Sequence, residues 1–223
     1  MSLTASILYL TRKDVQALRI KDPYALHKAV YSLYPDVRSA EEKQGSTPSG
    51  FLHADLGGDH NVRKVLLLSN REPALFLKDS SGQGKHGDVQ SRRVSPDFLT
   101  HKNYRFRVVV NPTQRNSQSR KLVPIKGREN VAQWFASRAE KSWGFKVVPA
   151  SLQVDSTDVL EFRDKNQRPV TIAQAQVQGV LEVTNPEQFK QSFAQGIGRG
   201  RAFGCGLLQI VPIVENPFAI KFN

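Results

Sequence analysis

Residues 22–36 read DPYALHKAVYSLYPD, and they follow an apolar run, ASILYLT, at residues 5–11. Asp22 is a good N-cap and Pro23 occupies the favoured first helical position, so a helix is predicted to begin there. Pro35 is expected to end that helix, because proline cannot continue it. The apolar run is rich in β-formers and predicts a strand. The chain therefore opens with a strand followed by a helix.

This alternation of strands and helices continues outward along the chain. Further strands are predicted at residues 51–55, 62–70, 104–110, 145–154, 159–162, 170–183 and 207–213, and helices at residues 129–141 and 186–195. Residues 80–93 are predicted to form an exposed loop. Each half approximates strand–helix–strand–strand–helix–strand, the ferredoxin-like arrangement, although the second helix of the first half is poorly marked.

A polar stretch divides the two halves. Residues 111–120, NPTQRNSQSR, contain one proline and no aliphatic side chain, and the strand and helix pattern restarts after them. We therefore predict an N-terminal ferredoxin-like domain at residues 1–112, which carries the first helix, and a C-terminal one at residues 113–223. The fold class is α+β, with tandem βαββαβ domains and antiparallel sheets.

The composition points to a partner of negative charge. The 223 residues include 32 Lys and Arg against 20 Asp and Glu, a formal net charge of +12. Nucleic acid is the polyanion that such a protein most commonly binds, while a membrane surface or an acidic protein are the alternatives. The single cysteine excludes an internal disulfide framework, and no apolar run approaches the ~20 residues that span a bilayer. We expect a cytoplasmic protein.

The first helix carries two stripes. Its core face is predicted to consist of Leu26, Val30 and Leu33. Tyr24, His27, Lys28 and Tyr31 follow helical spacing on another side and include no acid. Aromatic rings can stack on ribonucleotides and cations can meet phosphate oxygens, so this second stripe suits RNA. The alternative interpretation is a partly exposed histidine with packing tyrosines and a solvated lysine.

A glycine-rich stretch lies near the C-terminus, where residues 195–208 read QGIGRGRAFGCGLL. The stretch follows a helix and precedes a strand, the reverse of a dinucleotide-binding loop, and the chain has no P-loop motif. Its RNA-contacting residues are predicted to be Gly196, Gly198, Arg199, Gly200 and Arg201. The alternative is a helix C-cap with a tight turn, which needs fewer glycines.

Two other clusters of basic side chains are candidates for RNA binding. Arg163, Lys165 and Arg168 crowd a predicted hairpin turn, and Arg120 and Lys121 flank the domain boundary. Basic side chains at a hairpin tip can grip an RNA duplex through its phosphates. Taken singly, each of these side chains is more commonly solvated surface.

The sequence gives little support for a metal site or for a catalytic nucleophile on the protein. The chain has no HExxH motif, and the histidines at positions 53, 60, 86 and 101 stand in unrelated contexts, mostly predicted loops. Cys205 begins an apolar strand and is expected to be buried rather than reactive. We predict no metal site and no cofactor.

Three segments resemble the CasE-type CRISPR repeat-processing endoribonucleases of type I-E systems. They are DPYALHKAVYSLYPD at residues 22–36, RKLVPIKGRE at residues 120–129 and GIGRGRAFGCGLLQIVPI at residues 196–213. The glycine-rich block that ends in GCGLL and the Tyr-x-x-His pair on the first helix are specific to that family. With the intervening elements, the resemblance covers nearly the whole chain.

The resemblance implies tandem ferredoxin-like (RRM-like) domains and metal-independent cleavage at the base of a CRISPR repeat stem-loop. It also implies that the protein keeps its product as one of the subunits of the Cascade complex, with no membrane and no small-molecule cofactor. The catalytic histidine of the family falls on His27 and its companion tyrosine on Tyr24, with Lys28 a less secure match. The family's basic hairpin and glycine-rich loop fall on the clusters described above.

The mechanism expected from these residues is transesterification, in which a ribose 2′-oxygen attacks its adjacent phosphate. His27 is expected to act as general acid or general base, because imidazole titrates near neutrality. Tyr24 would orient the ribose or phosphate, and Lys28 or a nearby arginine would stabilise the phosphorane. The alternatives are an RNA-hairpin-binding subunit that does not cleave and a ferredoxin-like enzyme acting on a small molecule.

Overall fold

The structure is a computed structural model that describes residues 2–35, 37, 39, 50–59, 61–79, 81–164 and 166–214. Its helices are α1 (Arg12–Ala17), α2 (Pro23–Ser32), α3 (Arg128–Arg138) and α4 (Pro186–Gln195). Its strands are β1 (Thr4–Thr11), β2 (Phe51–Gly58), β3 (Val62–Ser69), β4 (Asp88–Arg93), β5 (Asn103–Val110), β6 (Thr113–Arg115), β7 (Leu122–Pro124), β8 (Phe145–Val147), β9 (Gln153–Arg163), β10 (Pro169–Val183) and β11 (Gln209–Pro212). Within these ranges, no helix has the length and apolarity needed to cross a membrane.

Two antiparallel sheets with the same strand order build the fold. The first sheet runs β2-β3-β1-β4, and the second runs β11-β5-β10-β8 with β9 also paired to β10. In each sheet the first strand of the unit is central: β1 lies between β3 and β4, and β5 lies between β10 and β11. All of these pairs are antiparallel. The predicted α+β class with two ferredoxin-like units is confirmed.

The polar stretch at residues 111–120 does not separate the sheets. Strand β5, which the sequence placed in the first half, pairs with β10 and β11, with Val110 opposite Ala175. The polar residues instead begin a two-stranded ribbon, β6–β7, in which Gln114 faces Val123. The division at residue 112/113 therefore needs correction, because the chain passes from one sheet to the other between β4 and β5.

The predicted loop at residues 80–93 ends in a strand. Its last residues form β4, an edge strand paired with β1, with Val89 opposite Leu8. Val89 is the buried side chain of β4, and the other five are exposed, so the strand has no apolar alternation that sequence reading could detect. The second helix of a ferredoxin-like unit would lie between β3 and β4, and the described residues there form no helix; a 3-10 turn at Pro96–Leu99 follows β4.

The first four residues of strand β2 are buried on both faces of the strand, and there the two halves pack against each other. Phe51 packs in a cluster between α2 and the first sheet, together with Leu26 and Val30. Leu52 and Ala54, on the opposite face, belong to a cluster shared with the second half. Successive side chains of a strand alternate between faces, so one strand serves both clusters. The start of α2 consequently lies beside the turn that follows α4.

Candidate active site

Helix α2 presents the predicted catalytic stripe. The Asp22 carboxylate accepts a hydrogen bond of 2.7 Å from the Ala25 amide, so the helix begins where the sequence predicts. Tyr24 and His27 are half-buried, and Lys28 is exposed. The opposite side of the helix carries the buried core residues, as predicted. Of these three candidate catalytic residues, the His27 side chain contacts the second half of the chain, through Phe203.

Aromatic rings surround the imidazole of His27. Its ring centre lies 6.1 Å from that of Tyr31 on the same helix and 6.4 Å from that of Phe51 on β2. His53 on β2 and Phe203 follow at 6.2 and 6.0 Å. Phe203 belongs to the 3-10 turn Arg201–Phe203 within the glycine-rich stretch. The imidazole thus lies at the junction between the two halves, held by rings from both.

The electrostatic environment keeps the His27 imidazole neutral. Burial lowers the pKa of His27 below the ordinary value of 6.5, because the charged form is desolvated. Within the described part of the chain, its buried Nδ1 atom has no hydrogen-bond partner. At neutral pH the ring therefore carries a free lone pair and can accept a proton.

His53 is a site residue that sequence reading missed. It lies on β2, within the strand predicted at residues 51–55, and is 1% exposed, and its own Nδ1 atom is buried with no partner among the described residues. Burial lowers the pKa of His53 to about 4. Positions 51 and 53 share a strand face, so a helix packed over Phe51 also covers His53. The alternation of side chains within this short apolar strand was the sequence signal that could have identified His53.

A cavity of about 260 Å³ opens beside this ring cluster, and we call it the junction cavity. Its walls include Leu26, His53, Asp55, Arg63, Leu160 and Phe203. The Arg63 guanidinium forms an ion pair of 2.6 Å with the Asp55 carboxylate, so these two opposite charges offset each other at the wall. The junction cavity thus combines aliphatic and aromatic walls with a few polar groups.

The glycine-rich stretch forms a tight connection that positions Phe203. Gly196 ends α4 with a φ of +77°, and a Cβ on Gly206 would collide with the Ile197 carbonyl. The Arg201 guanidinium donates a hydrogen bond of 2.7 Å to the Gln195 carbonyl at the end of α4. Gly196, Gly206 and Arg201 therefore maintain the conformation of the turn, which the alternative interpretation anticipated.

The remaining residues of that stretch differ from one another. A Cβ on Gly198 would meet nothing within 4 Å, so its backbone is open to a partner. Gly200 packs near Cys205, since a Cβ there would lie 3.3 Å from the sulfur. Arg199 is exposed. Gly198 and Arg199 therefore leave this part of the turn open to a ligand.

The β9–β10 hairpin brings basic side chains close to the ring cluster. Phe162 on β9 contacts Phe203, with ring centres 4.7 Å apart, and Arg163 follows it directly. The Arg163 guanidinium donates to the Gln167 carbonyl at 2.8 Å across the turn, and Arg168 is exposed. Lys165 lies outside the described residues. The hairpin tip therefore stands a few residues along the strand from the His27 site.

The ribbon β6–β7 carries the remaining candidates. Arg120 and Lys121 are exposed at its turn. The ribbon and the β9–β10 hairpin enclose a cleft of about 560 Å³, which Leu122, Val159 and Arg199 line. The ribbon and Arg199 of the glycine-rich turn thus line the same cleft.

The described residues contain no group of three or more His, Cys, Asp and Glu side chains that could hold a metal ion. Cys205 is buried, as predicted, and burial raises the pKa of its thiol to about 11. The thiol is therefore a poor nucleophile at neutral pH.

A sequence model described as CRISPR associated protein matches residues 1–212. The chain belongs to this CRISPR-associated family. A CRISPR-associated endoribonuclease Cse3 from Thermus thermophilus is 32% identical over 157 residues, which cover 66% of this chain and 72% of that protein. The resemblance to CRISPR repeat-processing endoribonucleases is thereby confirmed.

Solved structures show the same fold. Thermus thermophilus Cse3 bound to an RNA representing a pre-cleavage complex has a TM-score of 0.75 at 22% identity, over 95% of this chain and all of that one. A chain of a CRISPR RNA-guided surveillance complex, described as pre-nicking, has a TM-score of 0.64 at 24% identity, over 96% and 100%. These matches extend over nearly the whole of this CRISPR-associated chain, including both sheets.

Proposed function

We propose that this protein is a CRISPR repeat endoribonuclease that cuts precursor RNA at the base of the repeat stem-loop. Cleavage leaves a 2′,3′-cyclic phosphate and a 5′-hydroxyl, and the protein stays on the mature guide RNA as a subunit of Cascade in the cytoplasm. Support comes from the Thermus thermophilus relative, which is named an endoribonuclease, and from the structure of Cse3 with pre-cleavage RNA. The surveillance-complex chain of the same fold supports the assembly.

The observation that carries the proposal is the position of His27. A neutral imidazole stands at the junction of the two halves, beside an exposed basic hairpin. In this reaction the nucleophile is a 2′-hydroxyl of the substrate, so the protein must align it with the leaving oxygen and move protons. His27, unprotonated at neutral pH, accepts the proton of the 2′-hydroxyl. Such proton transfer contributes about 10²–10⁴ in rate.

Tyr24 and Lys28 assist from the same helix. Tyr24 lies three residues before His27 and four before Lys28, so its side chain neighbours both of theirs on the helix surface. The Tyr24 phenol orients the ribose or the scissile phosphate. The Lys28 ammonium, which is exposed and charged, stabilises the negative charge of the phosphorane.

The duplex is held at the exposed basic elements. Arg163, Arg168 and Lys165 of the hairpin contact phosphates of the stem, and Arg199 and Gly198 of the glycine-rich turn approach the strand that is cut. Arg120 and Lys121 of the ribbon extend this basic surface. Arg201, Gly196 and Gly200 act indirectly, through the conformation of the turn.

The test is incubation of the protein with end-labelled repeat RNA, with and without excess EDTA, followed by a denaturing gel and mass analysis of the product ends. We expect a single cut at the base of the stem, a cyclic phosphate, and the same rate in EDTA. Dependence on a metal would remove this mechanism. Tight binding without any product would instead identify a non-cleaving RNA-binding subunit.

The pH dependence gives a second readout of the same experiment. A general base acts in its neutral form, so the rate should rise with pH through the pKa of His27 and level off above it. Because burial lowers that pKa, the midpoint should lie below 6.5. A midpoint above 6.5 would contradict the role of His27 as general base.

A further inference from the structure

The junction cavity shares its wall with side chains that neighbour the proposed catalytic imidazole of His27. His53 and Phe203 both line it, and their ring centres lie 6.2 and 6.0 Å from that of His27. An RNA strand whose scissile phosphate meets His27 therefore brings a neighbouring nucleotide to the mouth of this cavity. The volume, about 260 Å³, suits one nucleobase and excludes a duplex.

The chemistry of the walls favours a nucleobase over a phosphate. Leu26, Leu160 and Phe203 supply apolar and aromatic surface. Asp55 and Arg63 neutralise each other, and His53 is uncharged at neutral pH. Two other charged residues at the rim, Lys21 and Asp22, are of opposite sign. A site without net positive charge is poor for an anion but suits a flat, neutral heterocycle with polar edges.

His53 provides a polar edge in the wall of the cavity. Its side chain is almost fully buried, and its Nδ1 atom has no hydrogen-bond partner among the described residues. A phenylalanine would fill the same space without burying an unpaired nitrogen. The Nε2 edge of the ring faces Gly204, another residue of the cavity wall, since a Cβ there would lie 3.8 Å from Nε2. This nitrogen can donate or accept according to the tautomer, so it can pair with a base edge.

We propose that the junction cavity binds the unstacked base of a nucleotide adjoining the scissile phosphate, with the base packed on Phe203 and hydrogen-bonded to His53. The inference rests on the proposed function. Enzymes that act on nucleotides commonly take a base out of the stack, and here the displaced base fixes the 2′-oxygen and phosphate in front of His27.

The experiment combines variants of the protein with variants of its RNA substrate. Wild-type protein and His53→Phe are each assayed for kcat/KM on three repeat RNAs. One RNA is intact, and the others carry a single abasic ribonucleotide, which keeps its 2′-hydroxyl, on the 5′ or the 3′ side of the scissile phosphate. The matched control is His101→Phe, since His101 is a half-buried histidine that packs on Tyr104, outside the cavity.

We expect the wild type to lose about tenfold or more in kcat/KM on one of the abasic RNAs, the loss typical of a missing stacked base. His53→Phe should cleave intact RNA several-fold more slowly and lose much less than the wild type when the base is removed. His101→Phe should match the wild type on all three RNAs.

Two results would overturn the inference. One is a wild type that cleaves both abasic RNAs as fast as the intact one, a measurement that needs no variant to fold. The other is a folded His53→Phe protein that shows the full wild-type abasic penalty. A wild type that cleaves no repeat RNA would contradict the proposed function instead, so the two failures are distinguishable.

Discussion

The ring cluster at the junction and the tip of the β9–β10 hairpin lie close together but differ in physical character. His53 is buried and His27 half-buried, both are surrounded by rings, and burial lowers the pKa of each. Arg163 and Arg168 are exposed at a turn, held by little more than hydrogen bonds within the turn itself. In the first region the effect of a side chain depends on its exact position, whereas the second region contributes charge that acts through solvent.

This difference separates the roles that the two regions can have. A buried imidazole acts on a single atom at a fixed distance, so one substitution should remove the chemistry while leaving distant contacts intact. Exposed cations contribute to affinity in small, similar steps that salt weakens. Variants of the two regions should therefore fail in different ways.

The largest effect is expected from His27→Ala. The cleavage rate should fall by about 10²–10⁴, because no group remains to take the proton from the 2′-hydroxyl. Affinity for the repeat RNA should stay near the wild-type value, since the hairpin and turn are untouched. Single-turnover cleavage and a binding titration measure the two quantities, with His101→Ala as the control. An equal loss of both would show that His27 binds RNA rather than catalyses.

The next effect concerns stability and tests the burial of His53. The pKa of His53 is about 4 in the folded protein against 6.5 for an ordinary histidine, so below pH 6.5 the unfolded chain takes up a proton that the folded one excludes. The free energy of unfolding should therefore fall by about 3 kcal/mol as the pH drops from 6.5 to 4. His27 should add to this trend in the same direction.

Urea unfolding at several pH values, for the wild type and His53→Phe, measures this contribution. The variant should lose most of the decrease and should be at least as stable as the wild type at pH 7, because it buries no unpaired nitrogen. If the variant keeps the wild-type pH slope, His53 is not the group that titrates.

The smallest effect is expected from Arg163→Gln with Arg168→Gln. Affinity should fall several-fold, and the slope of log K against log salt should decrease by about one for each phosphate that is no longer neutralised. The rate of cleavage at saturating RNA should change little. Arg12→Gln with Arg138→Gln changes the net charge equally at exposed positions elsewhere. If this control pair weakens binding as much, the hairpin has no special part in it.

Local signals were sufficient for the helices that carry capping residues. Asp22 with Pro23 predicted the start of α2, and the helix predicted at residues 186–195 coincides with α4. In both helices the capping side chain, Asp22 or Asn185, accepts a hydrogen bond from the first turn. The strong apolar strands were equally readable. Strand β4 was not, because a strand at the edge of a sheet with one buried side chain has no periodic pattern.

The domain boundary could not be read from composition. A polar stretch after β5 resembles a linker, but strand pairing decides where a sheet ends, and β5 forms its hydrogen bonds with β10 and β11. These partners lie far along the chain. Sequence-local reasoning has no access to such pairings, so it assigned β5 to the wrong half.

The sequence by itself determined the basic charge, the order of most elements and the helix that carries Tyr24, His27 and Lys28, because these follow from composition, caps and helical spacing. Only the tertiary structure decided what surrounds the imidazole. His53 and Phe203 are 150 residues apart in the chain, and they meet beside His27 because the start of β2 is buried on both faces and the turn after α4 closes against it. Contacts of this kind depend on packing between halves, which no local pattern encodes.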